Sequence, residues 1–376
     1  MPARIKKLQH LIFVILLIFL PTQIGLHFWP SWAFVNGVRV DYFSPTLYLT
    51  DVLIFILVML NLFQHLKQAR PGRAGVERSR NKFGMTQFIY CVTGLLILLN
   101  ISFSLSPFVT FYKWIKVAEL VFLAWYINQH KINLRWLIIP VVYEFVLVFW
   151  QFINQSSAGL WWYWLGERSF NLNTPGIATV IINGQNFLRP YGTFSHPNVL
   201  GGWMAVVFGL LVEQRSKFFA LVSALMSFSR AAILSLGFYV NKKLVILGLL
   251  GVLGLLIGTQ SWNVRLQLDS LAVQKFVQSP IIGTGLGTSP LYHRDSSSNY
   301  ALTFQPIHNI YLLVLAETGV LGEIIFLILL FWAWKKAGKY QSVLLVVLFL
   351  GVFDHYFITL QQGQLLFTLL IGIISQ

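Results

Sequence analysis

Apolar stretches close to the length of a membrane-crossing helix alternate along the chain with short loops rich in basic, aromatic or turn-forming residues. The pattern predicts helical spans at about 8–26, 46–63, 84–101, 111–127, 136–152, 198–213, 244–260, 308–333, 341–357 and 363–375. Barrel strands would instead show short segments of alternating polarity. Residues 218–240 do not fit one span, because a single crossing would move Lys242–Lys243 to the face opposite the other basic loops. Two short limbs meeting near Ser227–Arg230 avoid this. Each is too short to cross roughly 30 Å of hydrocarbon, so the expectation is a broken pair with Arg230 in a polar interior. The resulting expectation is an all-α polytopic membrane protein of about twelve spans, both termini on the inner face, with two long outer segments, 153–197 and 261–307. Within the first, Asn183–Gly184 predicts the turn of a β-hairpin. The second opens with an amphipathic helix that Ser279–Pro280 ends.

Composition agrees with a lipid environment. Of 376 residues, 56% are hydrophobic, 16% aromatic and 10% charged, against roughly 25% charged in a soluble domain. The chain is therefore read as one integral membrane domain over 1–376, with 8–26 as an uncleaved first span. Trp161, Trp162 and Trp164 suit the headgroup interface. A lone cysteine, Cys91, excludes an internal disulfide and any cysteine-based metal site. The net charge of +15 falls mostly in Arg4–Lys7, Lys67–Lys82, Lys131–Arg135, Arg215–Lys217, Lys242–Lys243 and Lys335–Lys339. That distribution orients spans by the positive-inside rule. No basic stripe interleaved with aromatics suggests nucleic acid.

Candidate chemistry gathers on the outer side. His308 and Asn309 stand at the mouth of an apolar run that also carries Glu317. Ionisable groups in such a run point to function, although Asn309 is equally a good helix cap. Lys113, Lys116 and Glu119 share a helix face and read either as snorkelling side chains or as an anion site. Arg189, His196 and Asn198 lie in RPYGTFSHPN, Arg230 ends SFSR, and Arg265 and Asp269 are spaced as an i,i+4 pair. Arginine binds phosphate through paired donors, and a nearby histidine can take a proton from a hydroxyl. Bland alternatives stand beside these: an exposed Arg265–Asp269 pair, Arg189 pinning the hairpin, His196 as a loop residue. Gly283–Gly287, with Gly285 at its centre, lacks the Gly-Lys-Ser/Thr ending of a nucleotide loop. It reads as a tight turn whose amides could face phosphate. No metal motif is present.

Four motifs in this order, RPYGTFSHPN, SFSR, PIIGTGLG and His308-Asn309 followed, after nine intervening residues, by Gly319-x-x-Gly322, resemble the O-antigen ligase and O-antigen polymerase superfamily. The resemblance implies a fold like that of the GT-C glycosyltransferases, in a bacterial inner membrane, with the active site facing outward. It implies metal-independent, cofactor-free, inverting transfer of a glycan from a polyprenyl (undecaprenyl) diphosphate carrier to an acceptor hydroxyl on a lipid core, another glycan or a protein. His308 would then be the general base, and Arg189 and Arg265 would hold the diphosphate. Arg230, Asn309, His196, Asn198, Lys116 and Gly285 would contact substrate. The alternatives are a flippase or transporter for a lipid-linked glycan, or a polymerase of the same superfamily.

Overall fold

The computed structural model describes residues 2–68, 92–257, 259–293 and 304–376. Cys91, most of the basic segment 67–82 and the start of the expected span 84–101 lie outside the described residues.

The chain is mostly helical. Helix α1 (Pro2–Ile18) is followed by a β-laced segment in which β1 (Gly25–His27) pairs with β4 (Thr46–Tyr48), and β2 (Phe34–Val35) with β3 (Val38–Arg39). Helices α2 (Leu49–Gln68), α3 (Val92–Ser102), α4 (Pro107–Gln129) and α5 (Ile138–Asn154) come next. The Asn183–Gly184 turn closes the expected hairpin between β5 (Thr179–Ile182) and β6 (Gln185–Leu188), and both turn residues take positive φ. After it come α6 (Pro197–Leu210), α7 (Gln214–Met226), α8 (Arg230–Leu236), α9 (Val245–Leu256) and α10 (Gln260–Gln278). The last are α11 (Ile310–Lys336), α12 (Gln341–Phe353), the single turn α13 (Tyr356–Thr359) and α14 (Gln361–Ile374).

Helix α6 is apolar all round and sits at the centre of the core. Val199–Val207 are buried there against α7, α8 and α12, with Trp203, Phe238 and Tyr356 among the largest enclosed side chains. Proline at its first position fits a helix start, where no intrahelical donor is lost. Pro280 ends α10 for the complementary reason.

The expected fold of about twelve spans, GT-C-like in outline, is corrected by these helices. Among the described residues only two stretches, Leu134–Asn154 and Ile310–Lys336, are long and apolar enough to cross a membrane. A third would be Lys242–Leu256 with Ser261–Gln278, if a pair bent by 108° were one span. The reason lies in where the apolar runs stop being helical. Helix α6 ends after 14 residues, when Leu211 turns extended, and at 1.5 Å per residue it reaches roughly 21 Å. Helix α9 ends at Leu256, and α12 stops at Phe353 because Asp354 is extended. Helix α4 has the length, 23 residues, but carries three charges.

At 227–229 the chain breaks between α7 and α8, with Phe228 at a positive φ of 52°. Arg230 is not in a polar interior, as expected from sequence. It is exposed, and its Nη1 donates to Leu255 O at 2.5 Å. In α11 the backbone leaves helical geometry at Gly319 (φ 69°), where a Cβ would collide with the Ile281 backbone. That kink lets residues 280–285 lie against the helix, with Val320 N–H donating to Pro280 O and Thr284 N–H to Ala316 O.

Candidate active site

The site is built on a loop that α5 holds in place. Glu144 and Gln151, both buried, are seven residues apart and so share a face of α5. Gln151 Oε1 accepts the N–H groups of Tyr191 and Gly192 at 2.8 Å each, and its Nε2 donates to Glu167 at 2.8 Å. Glu144 accepts the Thr193 N–H at 3.1 Å and also its hydroxyl. These bonds satisfy a buried stretch of backbone that belongs to no helix or sheet. They fix the segment between Arg189 and His196. Gln151→Leu, which strands two buried amides, is expected to cost about 2–3 kcal/mol of stability, measurable as a lower unfolding midpoint in detergent.

Arg189 Nη2 donates to Asn198 Oδ1 at 2.7 Å and Nε to Ser227 O at 3.0 Å. Burial and the neighbouring Arg230 charge push its pKa down to about 10, which leaves it cationic at neutral pH. His196 caps α6, its Nδ1 accepting the Asn198 N–H at 3.1 Å. That bond fixes the neutral tautomer with the proton on Nε2.

A cavity of about 1020 Å³ opens in front of this loop. Arg265, His196, Asn198, Lys116 and His308 line it, together with Arg168, Lys113, Asp354 and His355. Arg265 reaches in from α10 and donates through Nη1 to Phe353 O, while its Nε has no partner among the described residues. It forms no ion pair with Asp269, whose Oδ1 is buried and unpartnered among them.

His308 sits just before α11. Its ring meets that of His355 edge-on, centroids 5.0 Å apart, and its Nδ1 is buried without a partner among the described residues. Desolvation, reinforced by His355 and opposed by Asp354, pushes its pKa down to about 3. Desolvation likewise lowers His355, whose Nδ1 lies 2.5 Å from Thr359 Oγ1. Burial acts to raise Asp354, but His355, His308 and Arg265 outweigh it and hold the carboxylate below its ordinary value. His196 opens onto the cavity yet is walled by protein. Desolvation, with the charges of Arg189, Arg265 and Arg168 behind it, lowers its pKa to about 4. Neutral imidazoles therefore face arginine and two carboxylates, Asp41 and Asp354, across a shared space.

No family model matches the chain, and no curated protein matches it. The chemistry must be read from the residues.

The cavity collects six of the sequence candidates: His308, Arg265, His196, Asn198, Lys113 and Lys116. Arg189 stands behind it, one hydrogen bond away through Asn198. Arg230, Asn309 and Gly285 do not line it. Asn309 is the N-cap of α11, its Oδ1 accepting from Tyr311 and Leu312 N–H at 3.0 and 3.2 Å. Gly285, at φ 104°, gives its N–H to Glu317 O at 2.9 Å. Lys116 is no snorkelling side chain. It is buried and paired with Asp51 at 2.5 Å and Glu119 at 2.8 Å, while Gln361 donates to Asp51 at 2.6 Å. Its charge is thus already balanced, whereas Arg265 forms no ion pair among the described residues.

Two contributors escaped the sequence reading. Asp354–His355 falls inside the expected span 341–357, and Arg168 stands in a loop without a motif. A polar Asp-His pair between two apolar runs was the signal available for the first. His308, Asp354 and His355 can each offer a ligand atom within 4.8 Å of the others, so these three could also hold a metal ion.

Proposed function

We propose that the protein is a membrane-bound glycosyltransferase that moves a glycan from a polyprenyl-diphosphate carrier to an acceptor hydroxyl. One observation carries the reading: His308, whose Nδ1 has no partner among the described residues, shares a large polar cavity with Arg265, which forms no ion pair with a carboxylate among those residues. His308 accepts the acceptor's proton as its oxygen bonds to the anomeric carbon. The glycosidic bond to the diphosphate breaks with its electron pair on the leaving oxygen. Arg265 and Arg168 meet that charge, and Arg189 holds Asn198 at the cavity edge. A diphosphate leaves readily, so stabilising its charge matters more than protonating it.

A membrane setting fits the faces of the two long apolar helices. Val146, Phe149 and Ile153 on α5 and Ile324, Ile328 and Phe331 on α11 form continuous exposed stripes, each side chain between 48% and 63% exposed. In the proposed orientation the cavity faces outward from a bacterial inner membrane, with the basic segments and both termini on the cytoplasmic side. The acceptor is a lipid core, a glycan or a protein.

The test is transfer of labelled glycan in lipid nanodiscs with and without a chelator. Base catalysis by His308 predicts an unchanged rate after EDTA. Loss of activity with EDTA, restored by a divalent cation, would instead make the His308, Asp354 and His355 cluster a metal centre.

The acid limb supplies a second check. His308 acts only when neutral, and its pKa is lowered in the folded protein. The base form therefore persists well below the ordinary imidazole value of about 6.5. The acid limb of kcat/KM is expected below pH 6, and a limb at or above pH 6.5 would speak against His308 as the base.

A further inference from the structure

A second, smaller cavity of about 320 Å³ lies between α1 and the far end of α4. The large cavity touches α4 at Tyr112–Lys116, whereas this one touches it at Tyr126 and Gln129, at least ten residues further along. At 1.5 Å per residue the two are separated by roughly 15 Å or more of helix.

Its lining brings Lys6 and His10 of α1 together with His130 and Lys131, and contains no carboxylate among the described residues. The charges come from two basic segments far apart in sequence. His130 is held by stacking on Tyr126, centroids 4.2 Å apart, and by Nδ1 donating to Tyr126 O at 2.8 Å, which leaves Nε2 for a ligand.

An independent feature is Gln9, which also lines the cavity. It is 2% exposed, and neither its Oε1 nor its Nε2 has a partner among the described residues. A buried amide without partners costs about 1–3 kcal/mol for each group left unmade, so such groups call for an occupant. Phe13, one turn further along α1, gives the cavity an apolar side.

We infer that this cavity binds a phosphate group, with Lys6 and Lys131 matching its charge and Gln9 Nε2 donating to one of its oxygens. Gln9 Oε1 accepts a hydroxyl of the phosphate or of the group esterified to it. The ligand is either an anionic lipid headgroup, its chain lying along Phe13, or free inorganic phosphate. The inference is independent of the transferase reading, since the two cavities share no residue.

The full chain is purified into nanodiscs of phosphatidylcholine with or without phosphatidylglycerol, and co-purified lipid is counted by native mass spectrometry. In parallel the unfolding midpoint is followed against inorganic phosphate in detergent. A headgroup site predicts roughly tenfold preferential retention of phosphatidylglycerol, lost in Lys6→Ala/Lys131→Ala and in Gln9→Leu but kept in Lys339→Ala, which lies outside the cavity. A free-phosphate site predicts a rise in midpoint with millimolar phosphate, lost in the same variants. Both lysines are exposed, so their removal leaves the fold intact, and Gln9→Leu tests the amide separately. No preference and no shift, or effects that survive both variants, would overturn the inference.

Discussion

Replacing His308 with alanine is expected to lower the rate of glycan transfer by roughly 10²–10⁴-fold while leaving the protein folded. The Nδ1 of His308 makes no hydrogen bond among the described residues, and its ring meets the His355 ring edge-on. Removing the ring therefore strands no partner of Nδ1 among those residues. A group whose loss costs chemistry but not structure is what a general base in an open cavity should be. The contrast with Asn309 is useful. Asn309→Ala removes the cap of α11, and its cost belongs to stability, about 1 kcal/mol. Single-turnover rates and thermal midpoints for the two variants should separate cleanly, with His308→Ala slow and stable. A slow, destabilised His308→Ala would argue that the ring is a packing element.

Replacing Glu317 with alanine is expected to destabilise the protein by about 3–5 kcal/mol. Glu317 is 2% exposed, and its two carboxylate oxygens accept the N–H groups of Gly287 and Ser289 at 2.7 and 2.9 Å. Its own carbonyl accepts from Gly285 and from Asn100 Nδ2, both at 2.9 Å. The residue thus clamps the glycine-rich loop onto α11 just before the Gly319 kink. Alanine would leave the buried Ser289 amide and the half-buried Gly287 amide unpaired. Glu317→Gln, which keeps one acceptor, should recover part of the loss. Denaturant midpoints of the two variants check this; an alanine variant as stable as the wild type would remove the clamp from the account.

How far the chain could be read in advance follows from the range of each interaction. Local signals worked. Asn183–Gly184 makes the hairpin turn, Ser279–Pro280 ends α10, and Asn309 marks a helix start, because each acts on its own few residues. The span count failed, since hydropathy registers an apolar run but not the residue at which its helix stops. Leu211 and Ile257 are apolar and turn extended all the same. Glu317 stood out in sequence as an ionisable group in an apolar run, yet its partners are backbone amides about 30 residues earlier, which no spacing reveals. The same holds for Lys116, whose balancing Asp51 lies 65 residues away. For the candidate site, residue type was informative where position was not. Arginine and histidine in the right loops led to His308, Arg265 and His196, while Asp354 and His355 were hidden in what looked like one span.

The most direct measurement is release of polyprenyl diphosphate from a lipid-linked oligosaccharide by the purified protein in nanodiscs, with and without acceptor. Acceptor-dependent release is expected from the wild type and almost none from His308→Ala or Arg265→Ala. Protein that binds the lipid-linked donor but releases no diphosphate with any acceptor, or that releases it equally well without His308, would contradict the proposed transfer.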